Sequence, residues 1–213
     1  MIAILDYGAG NLRSVENTLA ELGQASRPAH APEAHSTREI GFSYRVVRDT
    51  EGLRRASKIL LPGVGHFGQM MRALDAMAVR ETLVERIRAG VPFLGICLGL
   101  QALFEGSEEA PEVRGLGIYP GIVKRFPQSA RVPHMGWNEL EVRQSRLISK
   151  PRPYVYFAHS YYVPEDPRAS ALCTYVVRYT AALEAGNVFG VQFHPEKSGP
   201  AGLGIVGNFV TQC

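Results

Sequence analysis

Three short segments of this chain carry residue types that do chemistry. FLGICLGLQ, Phe93 to Gln101, sets Cys97 between Gly95 and Gly99, after an apolar run and before a helical pattern. That is the form of a nucleophile elbow: a sharp strand-to-helix turn pushes the side chain out above the strand end, and flanking glycines let neighbouring backbone approach. A helix starting near Leu98 would aim its amides and the positive end of its dipole at the sulfur, favouring thiolate. The competing reading is packing, because free cysteine is among the most buried residue types.

A thiolate in acyl transfer needs a base, and the base needs a group that orients it. VQFHPEKSG offers His194 and Glu196 for those roles. Pro195 biases His194 away from the helical region, so the triplet is expected to stay extended with positions 194 and 196 on one side. A strand-end histidine beside a surface glutamate is the alternative. LPGVGHFG, Leu61 to Gly68, sets two glycines after a strand-like run, and Pro62 fixes a turn whose amides can face a developing oxyanion. A plain loop or a phosphate-binding turn competes there, although no G-x-G-x-x-G or G-K-[ST] completes a nucleotide motif. His66 reads as a residue that starts a helix. All three segments lie just past an inferred strand, where open α/β sheets place their sites.

The elements that must position these groups are legible from period and punctuation. Ile2–Gly8 reads as a buried strand, and Asn11–Leu22 as a helix with Leu12, Val15, Leu19 and Leu22 on one face and Gly23 as its stop. Lys58–Gly63 is a strand, Phe67 to Ala89 one long amphipathic stretch, and VPFLGI a further strand. This alternation predicts a parallel sheet with helices on both faces. After about Glu112 the runs shorten into strands joined by hairpins or short loops, closed by a helix from roughly Gly199 to Val210. No repeat or low-complexity linker interrupts the chain, so a single domain over 1–213 is expected. Ala25–Tyr44, rich in Pro, Ala, His and Ser, reads as an extended surface loop, and His30 and His35 within it lack companions at metal-ligand spacing.

Bulk properties exclude some classes. The 213 residues are 46% hydrophobic and 20% charged, ordinary for a globular enzyme. A net charge of +3, with basic and acidic residues mixed along the chain, argues for neither nucleic acid nor membrane as partner. Three scattered cysteines, Cys97, Cys173 and Cys213, do not make a disulfide framework, so a reducing, cytosolic setting is expected. No leader pattern and no long apolar span are evident.

With its G-x-C-x-G elbow and late H-P-E, the chain resembles the class I (triad) glutamine amidotransferases. The resemblance implies an open, mainly parallel α/β sheet, with Cys97 as nucleophile, His194 as base and Glu196 as its orienting partner. It implies an oxyanion hole from Gly63 or Val64 and Leu98, glutamine binding by Gly65, Gln101, Ser160 and Tyr161, and no metal or cofactor. DYGAGN, LPGVGHFG, PHMGWN and HSYYV further resemble the branch that serves histidine biosynthesis. There the glutaminase docks, as one half of a heterodimer, on a cyclase subunit with a (β/α)₈ barrel, and ammonia passes on to make imidazole glycerol phosphate and an aminoimidazole carboxamide ribotide. By the same resemblance Trp137 and Asn138 lie at that interface, in what reads as a polar loop, whereas a core tryptophan is the alternative. The resemblance also implies that the PGVG amide points away from the site until the cyclase binds its own substrate. Two other readings keep the fold: a binding subunit with a vestigial site, and a thiol hydrolase that acts alone.

Overall fold

The structure, a computed structural model, describes residues 1–25 and 41–213. Its first half runs β1 (Ile2–Leu5), α1 (Leu12–Ala25), β2 (Tyr44–Val47), α2 (Thr50–Arg54), β3 (Lys58–Gly63), α3 (Phe67–Ala76), α4 (Arg80–Arg88), β4 (Phe93–Cys97) and α5 (Leu98–Gln101). The second half runs β5 (Phe104–Ser107), β6 (Tyr119–Arg125), β7 (His134–Glu139), β8 (Glu141–Val142), β9 (Tyr154–His159) and β10 (Tyr161–Tyr162). It closes with β11 (Ala169–Tyr175), β12 (Val177–Ala185), β13 (Val188–Val191), a 3-10 turn at Pro195–Lys197 and α6 (Gly199–Gln212).

The main sheet has the order β2-β1-β3-β4-β13-β12-β11-β8. From β2 to β13 neighbouring strands are parallel, and beyond β13 they are antiparallel. Two small sheets, β10-β6-β5 and β7-β9, and an isolated antiparallel bridge between Val163 and Thr180 accompany it among the described residues. The parallel strands are buried on both faces, as a sheet covered by helices requires. Along β1 the alternation is visible: Ile2 and Ile4 pack with Val15 and Leu19 of α1 and Phe209 of α6, whereas Ala3 and Leu5 pack with Leu53, Met71, Leu74 and Leu83.

Several elements depart from the sequence reading for physical reasons. The stretch Phe67–Ala89 is two helices, because Ala78 takes φ 53° and turns the chain between them. α1 passes through Gly23 to Ala25, since a lone glycine costs a helix only about 1 kcal/mol. PHMGWN is not a loop: His134–Glu139 is a strand paired antiparallel with Tyr154–His159. Of the expected surface loop at 25–44, residues 26–40, with His30 and His35, lie outside the described residues, and Tyr44 already begins β2. Among the described residues no helix is long and apolar enough to cross a membrane.

Candidate active site

Cys97 is the last residue of β4 and caps the short α5, with φ 54° and ψ −106°. The turn is as tight as it is because glycine stands wherever another element touches it. A Cβ on Gly99 would sit 2.0 Å from the Leu61 carbonyl oxygen, one on Gly95 2.4 Å from the Gly99 carbonyl oxygen, and one on Gly63 2.7 Å from Leu98 Cβ. β3 and β4 are therefore drawn together at their carboxyl ends, with Gly63 opposite Cys97 in register. The helix behind the sulfur spans only Leu98–Gln101, so its dipole is much weaker than the sequence suggested. A side chain supplies the nearby donor instead: Gln192 Nε2 donates to Cys97 Sγ at 3.5 Å.

His194 follows β13, the strand beside β4. Its backbone N–H donates to the Tyr156 carbonyl at 2.9 Å, and Ser198 Oγ donates to its carbonyl at 2.7 Å. Its own φ of −99° and ψ of 97° are extended, as expected before proline. The triplet does not stay extended, however. The 3-10 turn Pro195–Lys197 curls Glu196 back, so that its Oε1 accepts from His194 Nδ1 at 2.8 Å. That bond puts the proton on Nδ1 and leaves Nε2 for the side-chain hydrogen bond to Cys97. Burial by itself pushes the imidazole pKa down, but the bonds to Cys97 and Glu196 outweigh it and carry it up to about 10. Glu196 Oε2 is buried and without a hydrogen-bond partner.

The PGVG turn closes the site from β3. The Val64 N–H donates to the Tyr7 hydroxyl at 3.0 Å, and that hydroxyl donates to the Val64 carbonyl at 3.0 Å. His66 caps α3, its Nδ1 accepting from the Gly68 N–H at 3.1 Å. A cavity of about 270 Å³ opens over the sulfur and brings together Cys97, His194, Val64, Gly65, Leu98, Gln101, Ser160 and Tyr161. Gly63 stands beneath it in β3, and Glu196 stands behind His194.

With this geometry fixed, comparison with known proteins is informative. The family description "Glutamine amidotransferase class-I" matches residues 3–213. The chain belongs to that family. This amidotransferase is 46% identical over 213 residues to the imidazole glycerol phosphate synthase subunit HisH of Methanothermobacter thermautotrophicus, covering 99% of this chain and 98% of the relative. It is 41% identical over 218 residues to the chloroplastic imidazole glycerol phosphate synthase hisHF of Arabidopsis thaliana, covering 99% of this chain and 34% of that longer protein. A solved glutamine amidotransferase structure shares its fold at a TM-score of 0.70 with 18% identity, covering 98% and 97% of the two chains. The open, mainly parallel sheet expected from the resemblance is thus the fold observed.

Three residues of the amidotransferase site escaped the sequence reading. Tyr7 lies just past β1 in DYGAGN, and only the fold shows its hydroxyl reaching across to Val64. Glu109 lines the cavity and accepts from the Phe67 N–H at 2.7 Å, but sits in an acidic run with no pattern to single it out. Gln192 had a usable signal, since it stands two residues before His194 and strand alternation puts both on one side. Trp137 and Asn138 lie apart from the cavity, on β7. Trp137 is 56% exposed, which excludes a core role, and it meets Tyr156 edge-on at 6.2 Å. Met135, on the same strand face, is 64% exposed.

Proposed function

We propose that this chain hydrolyses glutamine to glutamate and ammonia through Cys97, His194 and Glu196, and delivers the ammonia to a cyclase subunit. The observation that carries the reading is His194 held between Glu196 Oε1 and the Cys97 thiol, at the floor of a cavity past the ends of β3, β4 and β13.

The chemistry follows from that arrangement. His194, raised to about 10, already holds the proton it shares with Cys97, and the sulfur attacks the carboxamide carbon of glutamine, forming a C–S bond and an oxyanion. The imidazolium returns its proton to the leaving nitrogen, the C–N bond breaks, and ammonia departs from a glutamyl thioester. Water then attacks, the now neutral His194 takes its proton, and the C–S bond breaks to give glutamate and the sulfur paired again with protonated His194. Glu196 keeps Nδ1 protonated and the ring oriented throughout. The Leu98 amide, with that of Gly63 or Val64, serves the oxyanion, an interaction worth about 10²–10³-fold in rate per donor. Gly65, Gln101, Ser160 and Tyr161 form the walls against the substrate, and Glu109 supplies negative charge for the α-ammonium group.

The partner assignment rests on the two relatives, one a subunit by name and one a longer chain named hisHF. The cyclase is a (β/α)₈ barrel forming a heterodimer with this chain, in the step of histidine biosynthesis that yields imidazole glycerol phosphate and aminoimidazole carboxamide ribotide. Trp137 and Met135 form the exposed apolar anchor of that interface, with Asn138 beside them. The test is glutamate release with and without the cyclase and its nucleotide ligand, for wild type and Cys97→Ala. Partner-dependent release that Cys97→Ala abolishes supports the reading. Release that needs no partner indicates a stand-alone hydrolase, and none under any condition indicates a vestigial site.

A further inference from the structure

Between the β7 strand and Cys97 runs a series of hydrogen bonds that is buried in its middle and at its inner end. At the inner end Gln101 Nε2 donates to the Tyr161 carbonyl at 2.9 Å and to Gln192 Oε1 at 3.0 Å, and Gln192 Nε2 donates to Cys97 Sγ. The same Tyr161 carbonyl faces His159 Nδ1 at 2.8 Å. A carbonyl only accepts, so Nδ1 carries the proton.

Burial pushes His159 down to about 3 and His134 down to about 4, so both rings are neutral near pH 7. His159 Nε2 is then an acceptor, and the Tyr179 hydroxyl, its Oη 3.3 Å away, is the donor that faces it. With its proton committed, Tyr179 accepts from His134 Nδ1, also at 3.3 Å. Cys173, its thiol pushed up to about 11 chiefly by burial and so protonated, is a second side-chain hydrogen-bond partner of the phenol, its sulfur an acceptor that competes with His159 Nε2. His134 Nε2 is left as an acceptor facing Asn138 Nδ2 at 3.5 Å. The Asn138 amide is fixed the same way round by its other bonds, Nδ2 to the Thr174 carbonyl at 3.1 Å and Oδ1 from the Glu139 N–H at 2.8 Å.

A second order turns on His134. If His134 loses the Nδ1 proton and gains one at Nε2, its Nδ1 becomes an acceptor and Tyr179 can turn its proton from His159 to His134. His159 Nε2 then has no donor, and the ring that braces the Tyr161 carbonyl loses one of its two supports. The Asn138 N–H, at long range, is what opposes that switch.

We propose that Asn138 and Tyr179 are positioning residues: Asn138 selects the proton order, and the Tyr179 hydroxyl transmits it through His159 and Tyr161 to the Gln101–Gln192 arm on Cys97. The proposal rests on Cys97 being the glutaminase nucleophile, and it places the outer end of the arm on the strand that also carries Trp137. Coupling of this kind requires an element with two discrete states, which the hydroxyl proton of Tyr179 supplies.

The experiment pairs ring-nitrogen NMR of the ¹⁵N-labelled full chain with glutamine turnover at saturating cyclase and nucleotide ligand. Wild type, Asn138→Asp, Tyr179→Phe and the double variant are compared. A carboxylate at 138 accepts rather than donates and so demands a proton on His134 Nε2. The expected result is Nδ1–H for both histidines in wild type, and Nε2–H for His134 in Asn138→Asp. In that variant kcat falls about ten-fold, the scale of weakening one hydrogen bond to the reacting group. In the Tyr179→Phe background Asn138→Asp has no further effect on kcat. Wild-type His134 protonated at Nε2, or additive effects of the two substitutions on kcat, would overturn the proposal. The NMR result needs no variant and no turnover, so it stands or falls apart from the glutaminase reading, which fails only if wild type shows no Cys97-dependent release.

Discussion

Tyr7 and Val64 hold each other in a closed exchange: the Val64 amide donates to the phenol oxygen, and the phenol proton goes to the Val64 carbonyl, both at 3.0 Å. Burial pushes the Tyr7 hydroxyl up to about 12, so it remains protonated through neutral pH. A donor used in this way is not free for an oxyanion over Cys97. Tyr7→Phe removes the acceptor and leaves the ring to fill the same space. Glutamate release by the isolated chain is expected to rise, by up to about 10²-fold, with KM for glutamine unchanged, since an oxyanion donor acts in the transition state. A basal rate at the wild-type level would show that the exchange restrains nothing.

The buried His194 makes stability depend on alkaline pH. Its pKa is raised from 6.5 to about 10 because the bonds to Cys97 and Glu196 outweigh burial, so the folded state holds this proton more tightly than the unfolded chain does. The contribution is complete below about 6.5 and is lost as pH climbs through about 10. Glu196→Gln removes the charged partner of Nδ1 and lowers the folded-state pKa, so the alkaline loss, still beginning near 6.5, should be smaller and should end at lower pH. Urea midpoints for wild type and variant across that window provide the check.

His134 and His159 act at the opposite end of the scale. Burial holds them at about 4 and about 3, so below 6.5 the unfolded chain takes up protons that the folded state refuses. Stability is whole above about 6.5 and declines as pH falls towards 3. His159→Gln, which can still donate to the Tyr161 carbonyl, is expected to flatten that acid decline in Tm while lowering stability at neutral pH through imperfect packing.

Trp137→Ala tests the interface. The side chain is mostly exposed, so Tm should change little, whereas binding to the cyclase should weaken by at least about 2 kcal/mol if it is the anchor of the contact. Isothermal titration with the cyclase separates the two: unchanged affinity would remove Trp137 from the interface.

How much of this was visible in the chain itself depends on range. Cys97 between its glycines, the buried β3 and β4, and His194 before proline are local patterns, and each kept its expected place. The break at Ala78 was not visible, because a left-handed alanine is imposed by the packing of α3 and α4 and by no residue type. Glu196 was assigned the right neighbour for the wrong local reason, since a 3-10 turn brings it to Nδ1 and extended alternation does not. Strand β7 was taken for a loop because Pro133, Gly136 and Asn138 read as punctuation, while its partner β9 lies some twenty residues on. Tyr7 and the His134–Tyr179–His159 series are products of tertiary approach and leave no signature in spacing.

Cys97 sits at φ 54° and ψ −106°, a conformation that costs a side chain with a Cβ about 1–3 kcal/mol and costs glycine almost nothing. Cys97→Gly is therefore expected to abolish turnover and to raise Tm, readable in one thermal scan against Cys97→Ala, which keeps the strain. In evolutionary terms a cysteine at this turn is a standing disadvantage to the fold. A lineage that stopped using the chemistry would gain robustness by the simplest replacement available, and drift would carry it towards a quieter protein with the same architecture.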